Sequence, residues 1–138
     1  MDADGQRHAI LRPPSIVILL DTNALIWLEQ GHRRSQALAR SSARLHISPA
    51  SILELQFLVE AGRIRLKNTT LLDVSHDERW TLDDPPAATW FHKAADLSWT
   101  RDPFDRLIVA HARLRGWRLA TGDDLLIARL PESERLVV

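Results

Sequence analysis

Cysteine is absent from the 138 residues of this chain. The absence excludes disulfide bonds, thiolate metal sites and thiol nucleophiles, and it fits a reducing compartment. Long apolar runs are missing too, since runs such as residues 16–20 are far shorter than the roughly 20 residues that a membrane helix needs. The N-terminus also has no hydrophobic signal region. We therefore expect a cytoplasmic protein with no membrane segment, in which oxygen or imidazole groups bind any metal.

An excess of charge of one sign is also missing, because 18 basic residues balance 18 acidic ones. No global positive field therefore indicates a nucleic-acid partner. Lysine is scarce: only Lys67 and Lys93 are lysines, and all other basic residues are arginines. Arginine suits bidentate pairing with phosphate, but an arginine-rich genome produces the same bias. Charge alone therefore does not decide the function.

The length and the 45% hydrophobic content are those of one compact domain. We assign residues 1–15 to a flexible N-terminal lead and residues 16–138 to the domain. Apolar segments without alternation are followed repeatedly by helical segments, which predicts an α/β domain with a central parallel sheet covered by helices on both faces. In such a sheet the strand-to-helix loops share one edge, where ligands bind.

The predicted strands cover residues 16–20, 45–48, 118–120 and 135–138, with weaker segments at 64–66 and 79–82. The predicted helices cover residues 22–30, 35–43, 49–61, 85–97, 102–115 and 124–129, and a further element starts within residues 71–76. Pro49 in a first turn, and Gly31 and Gly116 after helical segments, support these boundaries.

Acidic residues stand at the predicted strand-to-helix junctions. Asp21 follows the first strand, and Glu54 lies one turn into the helix after the second. Asp105 lies in the first turn of the helix that starts at residue 102, and Asp123 follows the strand at 118–120. Each has an ordinary alternative role as a helix cap or a solvated side chain. Because four such accidents together are improbable, we predict that the four carboxylates form one acidic site.

Neighbouring polar residues are predicted to support this site. Thr22 and Asn23 can orient a carboxylate or a metal-bound water, and Asp102 is the expected cap of its helix. Either Asp123 or Asp124 can cap the last helix. Clustered carboxylates repel each other unless a cation is present, and an all-oxygen site suits Mg²⁺ or Mn²⁺. Such an ion activates water and stabilises a leaving oxygen, so the pattern predicts phosphodiester hydrolysis.

Four segments of the chain resemble the PIN-domain family, and VapC-type toxins within it: LLDTN at residues 19–23, SILE at 51–54, RDPFDRLI at 101–108 and TGD at 121–123. Their order and spacing agree with the family from about residue 16 to the last residue, and RDPFDRLI is the most specific segment. Asp124 is a departure, since related toxins often have an arginine or another polar residue there.

The resemblance implies a three-layer α/β/α fold and a site formed by Asp21, Glu54, Asp105 and Asp123, which would hold one or two Mg²⁺ or Mn²⁺ ions. It implies an endoribonuclease that hydrolyses RNA phosphodiester bonds, with the Thr121 hydroxyl near the site. It also implies a homodimer and a cognate antitoxin that blocks the acidic groove.

Other functions fit the sequence less well. A phosphatase of the haloacid-dehalogenase type needs an acid where Asn23 stands, and a receiver domain needs a lysine after a late strand. Five scattered glycines provide no phosphate-binding loop. Two alternatives stay open: a non-catalytic PIN-like protein that binds RNA or regulates its operon, and a structure-specific DNA nuclease, because the same metal chemistry cleaves either polymer.

Three further features have both a structural and a functional interpretation. A basic stretch with Arg33 and Arg34 either follows an RNA backbone or is a solvated helix face. Gly122 either allows the backbone to approach the site closely or forms a simple turn. The five tryptophans, including Trp27, can stack on bases, but core or dimer packing is the simpler interpretation.

Overall fold

The computed structural model describes residues 16–66 and 69–138, so the N-terminal lead assigned to residues 1–15 lies outside the described residues. Five strands are present in these ranges: β1 (Val17–Leu20), β2 (Arg44–Ile47), β3 (Thr81–Leu82), β4 (Arg118–Thr121) and β5 (Arg135–Val137). The helices are α1 (Thr22–Gln30), α2 (Gln36–Arg40), α3 (Pro49–Glu60), α4 (Leu71–Ser75), α5 (Ala87–Ala95), α6 (Pro103–Arg115) and α7 (Asp124–Arg129). Short 3₁₀ turns cover Arg33–Ser35 and Glu132–Glu134. Within the described ranges, no helix has the length and apolar character needed to cross a membrane.

The five strands form one parallel sheet in the order β3-β2-β1-β4-β5. The chain leaves β1 in one direction to build β2 and β3, and then returns to the other side of β1 to build β4 and β5. The carboxyl ends of β1 and β4 therefore form the point at which the strand order reverses. Ligands bind at such points in open α/β sheets.

Both faces of the central strand are buried, as its uninterrupted apolar sequence predicts. Ile18 and Leu20 pack into a core with α1, α2 and α4. Leu19, whose side chain points to the opposite face, packs into a second core with α5, α6 and α7. α3 contributes to both cores, Leu55 to the first and Ala50 to the second. The predicted arrangement of a parallel sheet between two helical layers is confirmed.

Several predicted boundaries are wrong. The helix expected over residues 35–43 begins as a 3₁₀ turn and ends at Arg40, because the Ser41 hydroxyl accepts a hydrogen bond from Ala43 N and offers the backbone a local alternative to helix. Residues 64–66 are not a strand, since Ile64 and Leu66 pack against the first core instead. The strand expected at 79–82 is limited to β3, and the helix expected to reach residue 97 ends at Ala95.

Candidate active site

Asp21 lies where β1 ends and α1 begins, and its side chain is buried, with 5% exposure. Its amide donates to Ala120 O at 3.0 Å, which extends the pairing of β1 with β4 by one residue. Its Oδ1 accepts from Ala24 N at 2.8 Å, so Asp21 is the N-cap of α1. The cap uses Oδ1, and the carboxylate retains lone pairs for a further ligand.

Glu54 is connected to α1 through two hydroxyl groups. The Thr22 hydroxyl donates to Glu54 Oε1, and Thr22 Oγ1 lies 3.2 Å from Ser51 Oγ. A hydroxyl has a single proton, so Ser51 donates to Thr22 while Thr22 donates to Glu54. The structure thus places Thr22 and Ser51 next to the carboxylate. Asn23, which was expected to assist, is exposed and makes no side-chain hydrogen bond within the described residues.

Two carboxylates stand at the start of α6. Asp102 Oδ1 accepts from Phe104 N at 2.8 Å and from Asp105 N at 3.2 Å, which confirms the predicted cap. The Asp105 carboxylate receives no hydrogen bond from the described residues. Its position in the first turn of α6 brings it toward the carboxyl ends of β1 and β4, as the parallel topology predicted.

The fourth predicted carboxylate follows β4. Asp123 Oδ1 accepts from Leu126 N at 3.0 Å and caps α7, while Asp123 N donates to the buried Thr121 hydroxyl at 3.0 Å. Asp124 occupies the first position of α7, is exposed, and makes no side-chain hydrogen bond in the described part of the chain. Of the two adjacent aspartates, Asp123 is therefore the one that the backbone directs to the cluster.

The electrostatic environment shows that these carboxylates are close together. The pKa of Asp105 is raised to about 7. Burial contributes most to this rise, and the negative charges of Asp102, Asp123, Glu54 and Asp21 contribute the rest. Burial is thus the main cause and mutual repulsion is the second. Residues from four separate helices or their caps contribute to this repulsion, so their charges lie close enough to interact.

The pKa values of the other two buried acids are raised for similar reasons. Burial raises the pKa of Asp21 to about 6, although the nearby Thr121 hydroxyl and the Ala24 amide favour the ionised form. Burial also raises the pKa of Glu54, while the Thr22 hydroxyl opposes the shift. Within the described residues, none of the clustered carboxylates forms an ion pair with arginine, lysine or histidine.

Comparison with known proteins identifies the family of this chain. The family model of the PIN domain matches residues 18–132. The chain belongs to the PIN-domain family. It is 33% identical over 113 residues to ribonuclease VapC22 of Mycobacterium tuberculosis, a match that covers 77% of this chain and 86% of that protein.

Solved structures share the fold of this PIN domain. The structure of VapBC2 from Rickettsia felis bound to a promoter DNA fragment gives a TM-score of 0.65 at 20% identity and covers 89% of this chain and 99% of that chain. A toxin-antitoxin complex from Klebsiella pneumoniae gives 0.63 at 23% identity and covers 88% of this chain and 95% of that chain. At these identities the likeness confirms the fold alone.

The acidic cluster of this PIN domain fits a hard divalent cation by its donor chemistry. All donors are carboxylate oxygens, and Asp21 and Asp123 each use one oxygen in a helix cap. In the described ranges, however, no three His, Asp or Glu side chains are already placed to hold a metal ion together. Metal binding would therefore require these side chains to move closer to one another.

An aromatic pair beside the acidic cluster was not predicted from the sequence. Phe57 and Phe104 meet edge to face, with ring centroids 5.4 Å apart, and Phe57 is 53% exposed. They line a cleft with Glu54, Asp102 and Arg63. The available signal was the helical spacing of three residues between Glu54 and Phe57, which places them on one side of α3.

Proposed function

We propose that this PIN-domain protein is a Mg²⁺-dependent endoribonuclease and the toxin of a toxin-antitoxin pair. One observation carries the proposal: acidic side chains from four parts of the chain repel one another at the reversal point of the sheet, and none of them forms an ion pair among the described residues. The name of the relative VapC22, a ribonuclease, supports RNA as the substrate.

The proposed metal ligands are Asp21, Glu54, Asp105 and Asp123. A bound Mg²⁺ or Mn²⁺ ion would neutralise their charges, lower the pKa of a bound water and stabilise negative charge on the phosphate. The surrounding residues hold these ligands in position: the Ala24 amide orients Asp21, and the Thr22 hydroxyl orients Glu54. These hydrogen bonds restrict the side chains of Asp21 and Glu54, so that the movement needed for metal binding is limited.

The start of α6 positions the Asp105 carboxylate. Asp102 satisfies the free amides of the first turn and fixes the direction in which Asp105 leaves the helix. The positive end of the helix dipole favours negative charge on Asp105 at this position.

The proposed reaction defines its products. Water attacks the scissile phosphorus, the bond from phosphorus to the 3′-oxygen breaks, and the 3′-oxygen leaves with a proton. The products therefore carry a 5′-phosphate and a 3′-hydroxyl. The 2′-hydroxyl does not take part, so RNA and DNA can be separated only by binding contacts.

The first experiment incubates the purified protein with structured RNAs, including tRNA, and with single-stranded DNA, in Mg²⁺, Mn²⁺ or EDTA. We expect metal-dependent RNA cuts that end in a 5′-phosphate. Asp21→Asn should abolish them, whereas Asp124→Asn, which changes an exposed neighbouring acid, should not. Cleavage of DNA alone would assign a DNA nuclease, and binding of RNA without cleavage would assign a non-catalytic protein.

The proposed partners are a cognate antitoxin and a second copy of the chain, acting in the cytoplasm. The solved relatives include toxin-antitoxin complexes, which supports an antitoxin partner. Co-expression with the neighbouring reading frame should relieve growth inhibition and yield a stable complex on size-exclusion chromatography, while the protein alone should elute as a dimer. Continued growth inhibition with no complex would contradict the antitoxin.

A further inference from the structure

An arginine stacks on a tryptophan beside the turn that carries Asp123. The Arg34 guanidinium carbon lies 4.1 Å from the centroid of the Trp27 ring, and Arg34 Nη2 donates to Val138 O at 3.0 Å. The Arg34 amide donates to His32 Nδ1 at 3.1 Å, which fixes the 3₁₀ turn that presents Arg34. A basic residue expected to follow RNA or to lie free in solvent is thus held by several contacts.

The stack rests directly on the backbone of Gly122. A Cβ atom at residue 122 would lie 2.6 Å from Arg34 Nη2 and 2.7 Å from Trp27 Cη2, distances that real Cβ atoms essentially never show. Residue 122 is therefore a glycine because Arg34 and Trp27 leave no room for a Cβ atom, and its backbone conformation does not require a glycine. The interpretation of Gly122 as a simple turn residue does not account for these contacts.

The same turn is also held from other sides. Val138 N donates to Thr121 O at 3.0 Å, which continues the pairing of β5 with β4. The Thr121 hydroxyl accepts from Asp123 N, and Asp123 in turn accepts from Leu126 N. Arg34 donates a hydrogen bond to Val138 O and also packs against Gly122, so it connects the residue after β5 to the turn after β4.

We propose that Trp27 and Arg34 form a clamp over Gly122 that positions Asp123 for metal binding. In this role Arg34 is a positioning residue that acts through the Thr121–Asp123 turn and does not contact the substrate. The proposal rests on the proposed function, because it assigns Asp123 as a metal ligand. A single exposed cation–π contact is weak beside the stability of a domain. Loss of the clamp should therefore loosen the turn without unfolding the protein.

The test compares Arg34→Gln, Arg34→Lys and Gly122→Ala with the wild type. Arg33→Gln is the matched control, because Arg33 adjoins Arg34 and its side chain makes no hydrogen bond or ion pair in the described part of the chain. Mn²⁺ affinity is measured by calorimetry. Residues that orient metal ligands typically change affinity by 10- to 100-fold, and we expect about a 10-fold loss in Arg34→Gln and Gly122→Ala. Arg34→Lys, which keeps the charge but loses the planar stack, should lie between them and the wild type.

A second measurement does not depend on metal. Hydrogen exchange of the Leu126 amide, which is bonded to Asp123, should accelerate in Arg34→Gln and Gly122→Ala and stay unchanged in Arg33→Gln. Thermal unfolding checks that each variant folds. If Gly122→Ala does not fold, the two Arg34 variants are sufficient to test the clamp. The wild type could also prove to bind no metal and to cleave no RNA. In that case, faster Leu126 exchange in Arg34→Gln and Gly122→Ala would support the clamp on the turn, while the proposed function would be rejected.

Two results would overturn the clamp. The first is unchanged Mn²⁺ affinity and unchanged Leu126 exchange in both Arg34→Gln and Gly122→Ala. The second is a higher KM for RNA in Arg34→Gln with kcat, Mn²⁺ affinity and Leu126 exchange all unchanged, which would make Arg34 a direct contact to substrate phosphate. A lower kcat that recovers at high Mn²⁺ concentration supports the clamp.

Discussion

Two groups of buried or partly buried carboxylates in the described part of the chain differ in their surroundings. Asp83 receives hydrogen bonds from His111 Nε2 at 2.7 Å and from Arg115 at 2.8 and 3.2 Å. Burial acts to raise the pKa of Asp83, but the bonds from Arg115 and His111 outweigh it, and the pKa is lowered. In the acidic cluster the Asp105 carboxylate receives no such bond, and its pKa is raised to about 7.

The comparison separates structural acids from acids that suit a cation. In the network of Asp83, His111 and Arg115, the charges compensate one another within the protein. In the acidic cluster, the described residues do not compensate the repulsion among the carboxylates, so a bound cation would relieve it. Removing a charge should therefore destabilise the first region, whereas in the second it should abolish activity and leave the fold intact.

The largest expected effect is the loss of activity in Asp21→Asn. Because Asn keeps the shape but removes a charged ligand, kcat/KM for RNA should fall by about 1000-fold, in the range found when a group that stabilises transition-state charge is lost. Circular dichroism and the melting temperature should show an intact fold. Retained activity in Asp21→Asn and also in Asp105→Asn would reject the site.

The second effect concerns the compensated region. Asp83→Asn should lower the free energy of unfolding by about 2 kcal/mol, because it weakens charged hydrogen bonds to a buried histidine and a partly buried arginine. RNA cleavage should be unchanged. The control is Asp77→Asn, which breaks the more exposed pair with Arg79 and should cost less than about 1 kcal/mol. Equal losses in the two variants, measured by urea unfolding, would contradict the distinction.

A smaller effect should follow the addition of metal. Mg²⁺ at ten times its dissociation constant should stabilise the wild type by about 1.4 kcal/mol, because it binds the folded state. Asp21→Asn should lose this stabilisation, whereas Asp83→Asn should keep it despite its lower starting stability. Calorimetric melting with and without Mg²⁺ measures both. The same gain in Asp21→Asn would place the metal elsewhere.

Much of the fold was predictable because its signals are local. Asp21, Asp102 and Gly116 mark helix ends by capping chemistry that depends on a few neighbouring residues. The apolar sequence of β1 indicates burial on both faces. Residues 64–66 were misassigned because Ile64 and Leu66 meet their apolar requirement by packing, without pairing as a strand.

The candidate site was predictable in position but not in detail. Parallel topology brings the residues after β1 and β4 to one edge, so Asp21 and Asp123 could be placed together from sequence. The clamp could not, because it joins Arg34 to Gly122 across most of the chain. Asn23 and Asp124 follow strands in sequence too, yet both are exposed, since their orientation depends on backbone geometry at each helix start.

The smallest effect is a difference in pH dependence between the two regions. In the metal-free protein the folded-state pKa of Asp105 is about 7, above its ordinary value of 3.8, so ionising Asp105 costs stability as the pH rises from about 4 through 7. Asp105→Asn removes this cost. Solvent screening of the partly exposed Asp105 carboxyl limits this cost to about 1 kcal/mol. The melting temperature of the variant should therefore exceed that of the wild type by a gap that widens over that interval to about 4 °C and closes at pH 4.

The Asp83 network should respond in the opposite direction. The pKa of Asp83 is lowered, so its contribution is present above pH 3.8 and is lost as the pH falls through the lower folded-state value. Burial lowers the pKa of His111, so the unfolded chain takes up a proton first as the pH falls below 6.5, which also favours unfolding. Melting of the metal-free protein from pH 2 to 8 tests both signs. If the gap between Asp105→Asn and the wild type is constant with pH, the Asp105 carboxyl titrates equally in folded and unfolded chains, and the acidic cluster holds no unrelieved repulsion.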